Sequence, residues 1–321
     1  MEPRPRPQVI AIEEHYWDPD VERHFSGRDV VAGPRVRDRL HDVDALRLKE
    51  MDESGIDVQV LSHGAPALQR MDAETAVPLA RAANDRLYET VQEHPDRFAA
   101  FAALPTPDPG AAADELERAV TKLGFKGAMV HGPTNGVFFD DRRFWPIFER
   151  AQDLDVPIYV HPATPHPLVS QVYYDDYLDR FPWLLTAAWG FTVETATQGI
   201  RLVLSGVFAE YPRLKVILGH LGESLPFSLW RITQALTREG NQPIQFRDVF
   251  CEHFYITTSG NFSTPALLCS ILEMGVDRVL FSVDYPFVEN RPGVAWMDGL
   301  PISAEDRAKI LNGNARRLLK M

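Results

Sequence analysis

The chain has 321 residues, enough for one large domain or two small ones, and its 45% hydrophobic content allows a sizeable core. A formal net charge of −12 without a basic stripe argues against nucleic acid and anionic membrane as partners. No apolar run reaches the roughly 18 residues of a membrane span. Residues 1–8 lack the apolar segment of a signal peptide, so a cytoplasmic location is the expectation. Cys251 and Cys269 are too few and too isolated for a disulfide framework or a zinc-ligand pair.

Short apolar runs of strand length alternate with segments of helical periodicity along the chain. The predicted strands are 9–12, 58–62, 98–103, 127–130, 157–160, 215–218, 254–257 and 278–283. The predicted helices are 46–54, 73–94, 109–123, 142–154, 192–209, 224–238, 264–274 and 304–319. This alternation is typical of parallel βα units, and eight of them close into an α/β fold, the (β/α)8 TIM barrel, whose active site lies at the carboxyl ends of the strands.

Two segments are too long for ordinary barrel loops. Residues 16–44 are polar and arginine-rich, and residues 164–182 are rich in tyrosine and aspartate. We expect both to be insertions that cover the C-terminal face of the barrel, the first one over the substrate. Because the chain shows no linker and no internal repeat, residues 1–321 are predicted to form a single barrel domain.

Four of the apolar strands run into side chains that can bind a metal ion. These side chains are Glu13 and His15, His161, His220, and Asp284. In an extended chain residues i and i+2 share a face, so Glu13 and His15 point together and Glu14 points away. Imidazoles combined with carboxylates suit Zn²⁺, or Mn²⁺ if oxygen ligands dominate, with one position left open. A single histidine of this kind is usually satisfied by the backbone, but four strand ends of the same design favour a shared metal ion.

Further residues are candidates for contact with a substrate. Glu223 follows His220 by three residues, close enough to orient a ligand or hold a proton. Arg231, on the next predicted helix, suits a substrate carboxylate, and an ordinary ion pair on the helix surface is an equal alternative. Trp189 and Phe25 are suited either to stacking on an aromatic ring or to plain core packing.

Three more histidines have two interpretations each. His63 and His131 follow the second and fourth predicted strands, where they either line the same cup or cap a loop. His166 lies in the second insertion, where a surface position is the simpler expectation.

Several motifs together resemble those of a known family. They are Ile12-Glu13-Glu14-His15, Thr134-Asn135-Gly136, Val160-His161-Pro162, Trp189-Gly190-Phe191 with Glu194-Thr195-Ala196-Thr197, Leu202-Val203-Leu204-Ser205-Gly206-Val207-Phe208, Gly219-His220-Leu221-Gly222-Glu223, Phe281-Ser282-Val283-Asp284-Tyr285-Pro286-Phe287, and Asn314-Ala315-Arg316-Arg317-Leu318. The chain thereby resembles the amidohydrolase superfamily nearly end to end, in the branch of metal-dependent, non-oxidative decarboxylases of hydroxybenzoates. The Glu-x-His opening is the telling feature, because hydrolases of this superfamily and its aminocarboxymuconate-semialdehyde decarboxylases usually open with His-x-His.

The sequence departs from the family pattern in two places. Gln198-Gly199 stands where a histidine and a small apolar residue are expected, and residues 16–44 match poorly. Both departures lie where they can touch the substrate or a neighbouring subunit, so they leave the identity of the substrate open.

The resemblance implies one divalent ion, Zn²⁺ or Mn²⁺, held by Glu13, His15, His161 and Asp284, and no organic cofactor. In the implied mechanism Asp284 protonates the ring carbon that carries the carboxylate. His220 and Glu223 hold the phenol oxygen as an acid–base pair.

The function predicted in this way is non-oxidative decarboxylation of an ortho-hydroxy aromatic carboxylic acid to CO₂ and a phenol, reversible in principle. The expected partners are a small aromatic carboxylate and further copies of the chain, as a homodimer or homotetramer. The residues predicted to bind the substrate are Arg231, Phe25, Trp189 and Phe287. Two alternatives stay open: a metal-dependent hydrolase or hydratase of an aromatic ring-cleavage product, and a catalytically inactive barrel that serves binding or assembly.

Overall fold

The strands of the barrel are short and parallel. A computed structural model describes residues 7–27 and 33–321. In chain order its strands are β1 (Ile10–Tyr16), β2 (Val58–His63), β3 (Phe98–Ala100), β4 (Ala102–Ala103), β5 (Ala128–His131), β6 (Ile158–His161), β7 (Val216–Leu218), β8 (Phe254–Thr257) and β9 (Val279–Leu280). They pair in the orders β1-β2-β3 and β4-β5-β6-β7-β8-β9.

Backbone hydrogen bonds join these two sheets into a closed barrel. Only Phe101 separates β3 from β4, and its amide donates to Leu61 of β2, so the two pieces act as one strand that passes from one sheet to the other. On the opposite side the His15 amide donates to the Tyr285 carbonyl at 2.6 Å, and the Asp284 amide donates to the Glu13 carbonyl at 3.1 Å. The predicted fold class, a (β/α)8 barrel, is confirmed.

Helices surround the strands and fill the loops between them. They are α1 (Pro19–Glu22), α2 (Pro34–His41), α3 (Ala45–Ser54), α4 (Ala73–Glu93), α5 (Pro109–Leu123), α6 (Trp145–Leu154), α7 (Pro167–Tyr173), α8 (Asp175–Leu178), α9 (Gly190–Leu204), α10 (Val207–Glu210), α11 (His220–Glu223), α12 (Leu225–Leu236), α13 (Phe246–His253), α14 (Thr264–Met274), α15 (Asn290–Asp298), α16 (Ala304–Ala308) and α17 (Asn314–Leu319). Among the described residues, no helix is both long enough and apolar enough to cross a bilayer.

The main differences from the predicted elements have local causes. The helix predicted over 192–209 stops at Leu204, because Gly206 adopts a left-handed conformation with φ of 85° and starts α10. The helix predicted over 304–319 is divided by a π-helical turn at Lys309–Gly313. Helices α13 and α15 were not predicted; Pro292 and Gly293 inside α15 hide its periodicity.

The two predicted insertions contain short helices. Within 16–44 the described residues form α1 and α2, and Trp17 and Val21 are buried, so part of this segment belongs to the packed body of the protein. Residues 28–32 of this insertion, and residues 1–6, lie outside the described residues. The insertion 164–182 contains α7 and α8 and leaves several aromatic side chains exposed.

Alternate residues of the strands fill the interior of the barrel. This inner cluster contains Ile10 and Ile12 of β1, Val60, Met129, Tyr159, Ile217 and Leu280, and α17 packs against it with Ala315, Leu318 and Leu319. The larger cluster lies between the strands and the surrounding helices. Because the interior is packed with apolar groups, the polar residues that end the strands collect above it, at the carboxyl side.

Candidate metal centre and active site

The ends of β1 and β6 and the segment after β9 bring four predicted ligands together. One ligand atom each from Glu13, His15, His161 and Asp284 lies within 4.8 Å of all the others. His161 Nε2 is 3.2 Å from Glu13 Oε1, and His15 Nε2 is 3.3 Å from Asp284 Oδ1. The first three are buried and Asp284 is partly exposed, so the cluster opens to solvent on the Asp284 side.

A β-bulge in β1 turns Glu13 and His15 toward the barrel interior. Ala11 pairs with Gln59 and Glu14 pairs with Leu61. Between these two pairs β1 advances by three residues and β2 by only two, so β1 contains one extra residue. Without the extra residue, strict alternation from Ile10 and Ile12 would point Glu14 inward and its two neighbours outward. The bulge changes the phase, as such irregularities commonly do beside functional sites.

One oxygen of Glu13 is held by hydroxyl groups and the other has no partner. Tyr159 Oη, Thr257 Oγ1 and Ser259 Oγ all donate to Glu13 Oε2. Among the described residues, Glu13 Oε1 and the neighbouring His15 Nε2 are buried and lack a hydrogen-bond partner. Two buried orphan atoms that face each other across 3.9 Å, with one more imidazole and one more carboxylate nearby, fit a divalent cation.

Asp284 reaches the cluster through an unusual backbone conformation. Its φ is 75°, a left-handed value that costs an L-residue on the order of 1 kcal/mol or more. The Asp284 amide donates to the Glu13 carbonyl, so the closing seam of the barrel holds this conformation. His15 is fixed from the other side by a 3.3 Å contact between its Nδ1 and Ser62 Oγ.

His220 and Glu223 form a pair beside the four predicted ligands. They lie in α11, a kinked turn in which both residues have φ of 51°. His220 Nδ1 is 2.6 Å from Glu223 Oε1, and Thr192 Oγ1 donates to Glu223 Oε2 at 2.9 Å. His220 Nε2 is thereby aimed at the cluster, 3.7 Å from Asp284 Oδ2 and 3.9 Å from Glu13 Oε1.

The carboxylates and imidazoles of the cluster shift one another's pKa values. Burial alone would raise the pKa of Glu13, but the imidazoles of His220, His15 and His161 outweigh it and hold that pKa well below its usual range. Burial lowers the pKa of His15, yet Asp284 and Glu13 raise it to about 9. A cation bound here would replace the proton on the His15 imidazole, so metal uptake should release protons.

Comparison with known proteins identifies the family. A family model described as amidohydrolase matches residues 10–321, nearly the whole chain. The chain belongs to the amidohydrolase family. It is 43% identical to the gamma-resorcylate decarboxylase of Rhizobium sp. (strain MTP-10005) over 327 aligned residues, which cover 97% of this chain and 98% of the relative.

Two solved structures are similar to this amidohydrolase over almost their full length. One is a 2,6-dihydroxybenzoate decarboxylase in complex with 2,6-dihydroxybenzoate, with a TM-score of 0.89, 42% identity, and coverage of 98% of this chain and 99% of the other. The second is a dihydroxybenzoic acid decarboxylase from Polaromonas sp. JS666 with bound manganese and the inhibitor 2-nitroresorcinol, with a TM-score of 0.88, 42% identity, and coverage of 98% and 97%.

Glu14 points away from the four predicted ligands of this amidohydrolase, into the closing seam of the barrel. Its carboxylate accepts hydrogen bonds from the Val283 amide at 2.9 Å, the Tyr285 amide at 3.2 Å and Ser282 Oγ at 2.9 Å. Burial raises the pKa of Glu14 to about 8, while the Val283 amide and the Ser282 hydroxyl oppose the rise. These hydrogen bonds indicate that Glu14 helps to join the first and last strands of the barrel.

The predicted substrate residues differ in their neighbours and in their exposure. The Phe287 ring is 5.8 Å from the His15 ring, centroid to centroid. Phe25 is half-buried and packs 6.0 Å from the His63 ring. Trp189, at the start of α9, and Arg231, on α12, are exposed.

Five residues that surround the cluster did not enter the predicted site. Thr257 ends β8 and Ser259 follows it by two residues. Tyr159 precedes His161 by two residues, and His131 and His63 end β5 and β2; the last two were left with two interpretations. His131 contacts His161 directly, with 3.0 Å between their Nδ1 atoms. A rule that collects every polar residue at a strand end would have found all but Tyr159, which is indistinguishable from core in the sequence.

Proposed function

We propose that this amidohydrolase is a metal-dependent carboxy-lyase that removes CO₂ without oxidation from an ortho-hydroxy aromatic carboxylic acid of the dihydroxybenzoate type. The supporting observation is the four-residue cluster of Glu13, His15, His161 and Asp284 in a chain that is 43% identical over 97% of its length to a gamma-resorcylate decarboxylase. The cluster has two nitrogen and two oxygen ligands and opens on one side, toward Asp284.

We assign the metal to Glu13, His15, His161 and Asp284. A bound Mn²⁺ or Zn²⁺ would supply a Lewis acid and a template for the oxygens of the substrate. Two carboxylates and two imidazoles are acceptable to either ion, and the manganese in a similar decarboxylase favours Mn²⁺ here.

Decarboxylation of an aryl acid replaces a C–C bond by a C–H bond at one ring carbon. Expelling CO₂ first would leave a costly carbanion on the ring, so protonation of that carbon comes first, and the C–C bond electrons then restore the aromatic ring. Asp284 is our proton donor, because it is the partly exposed carboxyl on the open side of the cluster.

His220 supports this step through its two ring nitrogens. Its Nδ1 is anchored by Glu223 at 2.6 Å, and its Nε2 lies 3.7 Å from Asp284 Oδ2, where it can hold the phenol oxygen and return a proton to Asp284. Burial lowers the pKa of His220, but the carboxylates of Glu223 and Glu13 raise it well above its usual range. Each turnover consumes one proton, which solvent must resupply to this pair.

The test separates the proton donor from the metal ligands. Asp284→Asn keeps the shape and one oxygen but is not an acid, so it should retain at least part of its metal and bind an ortho-hydroxy acid, with turnover lower by roughly 10²-fold or more. His220→Asn should lose turnover similarly with less effect on metal content. In D₂O the wild-type protein should place one deuterium on the ring carbon that carried the carboxylate.

Two results would contradict the proposal. Product without deuterium at that carbon, or an active Asp284→Asn variant, would remove the protonation mechanism. Addition of water to lactones or to other ring-cleavage products, without CO₂ release from a panel of hydroxybenzoates, would make a hydrolase or hydratase the better description.

We also propose that Phe287 contacts the substrate, because its ring lies beside the His15 ring and is partly exposed. Phe25, Trp189 and Arg231 are proposed to contact the substrate as well; for the exposed Arg231, an ordinary position on the helix surface is the alternative.

A homodimer or homotetramer is proposed from the exposed aromatic side chains in and next to the second insertion, which are Tyr173, Tyr177, Phe181 and Trp183.

A further inference from the structure

The parallel pairing of β5 and β6 places two buried histidines side by side. His131 and His161 are paired in register as the last residues of their strands. Their ring centroids are 4.8 Å apart and their Nδ1 atoms 3.0 Å apart. His161 is one of the four proposed ligands, whereas His131 is not a member of that cluster.

The carbonyl groups around these rings fix which nitrogen carries the hydrogen. His131 Nε2 is 2.8 Å from the His63 carbonyl oxygen, and a carbonyl oxygen only accepts, so His131 Nε2 carries its hydrogen. A neutral imidazole has one N–H, so His131 Nδ1 is a bare acceptor. The contact between the two Nδ1 atoms is then a hydrogen bond only if His161 donates from Nδ1.

A second contact requires the same tautomer of His161. Its Nδ1 is 2.7 Å from the Pro162 carbonyl oxygen, which can only accept, so the single N–H of His161 is shared between this oxygen and His131 Nδ1. With the hydrogen on Nδ1, His161 Nε2 keeps its lone pair, and this atom faces Glu13 Oε1 at 3.2 Å. Pro162 is the next residue of the same loop, whereas His131 belongs to another strand, so the His131 contact orients the ring relative to the barrel.

The main chain of His63 is itself fixed by its side chain. The Asp18 amide donates to His63 Nε2 at 3.1 Å, so His63 Nδ1 carries the hydrogen and donates to the Gly64 carbonyl at 2.8 Å. The Asp18 carboxylate is held by two hydrogen bonds from Arg86, at 2.7 and 2.8 Å. The carbonyl that orients His131 therefore belongs to an anchored loop rather than to a free one.

We propose that His131 is a positioning residue of the metal centre, which holds the His161 ring so that the Nε2 lone pair points at the bound ion. Partners in this position fix the tautomer and ring orientation of a ligand imidazole, and their removal typically costs about 10- to 100-fold in metal affinity. This inference rests on the metal centre assigned above.

The test compares variants that keep or remove the acceptor. His131→Asn retains an amide oxygen close to the position of Nδ1, whereas His131→Leu has no acceptor. In chelator-competition titrations with Mn²⁺, His131→Leu should bind about 10- to 100-fold more weakly than the wild type, and His131→Asn within about threefold of it. A purely structural role predicts the opposite order, because asparagine leaves the larger void.

His253→Leu is the matched control. His253 is also a buried histidine bonded to a backbone carbonyl, that of Leu214 at 2.9 Å, but its ring stacks on Phe208, away from the cluster. This variant should lose stability and keep its Mn²⁺ affinity. If His131→Leu binds Mn²⁺ within threefold of the wild type, or if His131→Asn is as weak as His131→Leu, the inference is wrong.

A second measurement needs no variant and no metal. Nitrogen-15 NMR of histidine-labelled, metal-free protein should show His131 protonated at Nε2 only and His161 carrying its hydrogen at Nδ1. A hydrogen on His131 Nδ1 would overturn the inference even if the leucine variant failed to fold. Failure of the wild type to bind any divalent ion would instead reject the metal centre, so the two failures are distinguishable.

Discussion

Replacement of Glu13 by glutamine tests the metal centre with the smallest change of shape. Three hydroxyl groups donate to Glu13 Oε2, so the carbonyl oxygen of a glutamine must take that position. Its NH₂ group then occupies the place of Oε1 and presents hydrogens, not a lone pair, to the ligand imidazoles. Glu13→Gln should therefore keep the fold and lose one ligand.

The expected loss can be worked out for thermal unfolding. Removing a group that only orients a ligand costs about 10- to 100-fold in metal affinity, so loss of a ligand itself should cost at least about 100-fold. At a free Mn²⁺ concentration of about 100 times the wild-type Kd, the ion stabilises the wild type by about 2.7 kcal/mol and the variant by about 0.4 kcal/mol. With an unfolding entropy of roughly 2.1 cal/mol/K per residue over 321 residues, these values correspond to a rise in Tm of about 4 °C and below about 1 °C.

The assay is a melting curve of chelator-treated protein with and without Mn²⁺, together with metal analysis after dialysis. Glu14→Gln is the matched control, because it makes the same substitution one residue away on the opposite face. It removes one acceptor from the seam, where the Val283 and Tyr285 amides donate, and should lower stability by about 1–3 kcal/mol. Its Mn²⁺-dependent rise in Tm should match that of the wild type.

Two outcomes would refute this reasoning. An undiminished Mn²⁺-dependent rise in the Glu13→Gln variant would show that Glu13 is not a ligand. A rise abolished equally in the Glu14→Gln variant would show that the bulge does not divide the two carboxylates between the site and the seam.

Three further predictions follow from the same geometry. His161→Ala should lose both bound metal and activity, and full metal content by elemental analysis would disprove its assignment as a ligand. Burial lowers the pKa of His63 to about 4, so this side chain stays neutral in the folded protein at pH values below about 6.5 at which it is protonated in the unfolded chain. The free energy of unfolding of the metal-free protein should therefore fall as the pH drops from 6.5 to 4. In denaturant titrations, His63→Gln should remove about 3 kcal/mol of that loss. Light scattering should give the mass of a dimer or tetramer, and a monomeric mass would reject the proposed contact through residues 164–182.

The sequence by itself determined the fold class and the chemical type of the site. The alternation of apolar runs with helical segments is a local signal, and it is sufficient to predict the barrel because parallel βα units have few ways to close. The presence of Glu13, His15, His161 and Asp284 at the ends of three such runs is visible without a structure, since the carboxyl ends of parallel strands meet at one face.

Only the tertiary structure decided which way the side chains of β1 point. By strict alternation in the sequence, Ile10, Ile12 and Glu14 would lie on one face of the strand. The bulge that instead puts Glu13 and His15 on the inner face depends on pairing with β2. The conformation of Asp284 is likewise held by a bond to the Glu13 carbonyl, more than 200 residues away along the chain.

The structure also decided what surrounds the ligands. Tyr159 is part of an apolar run in the sequence, yet its hydroxyl ends at Glu13, and His131 gains its role only through its in-register pairing with His161. Arg231 is the opposite example: its residue type suggested contact with a carboxylate, but its side chain lies exposed on α12. Periodicity is a property of neighbours along the chain, whereas these contacts arise when the barrel closes, and closure brings together residues whose spacing in the sequence carries no signal.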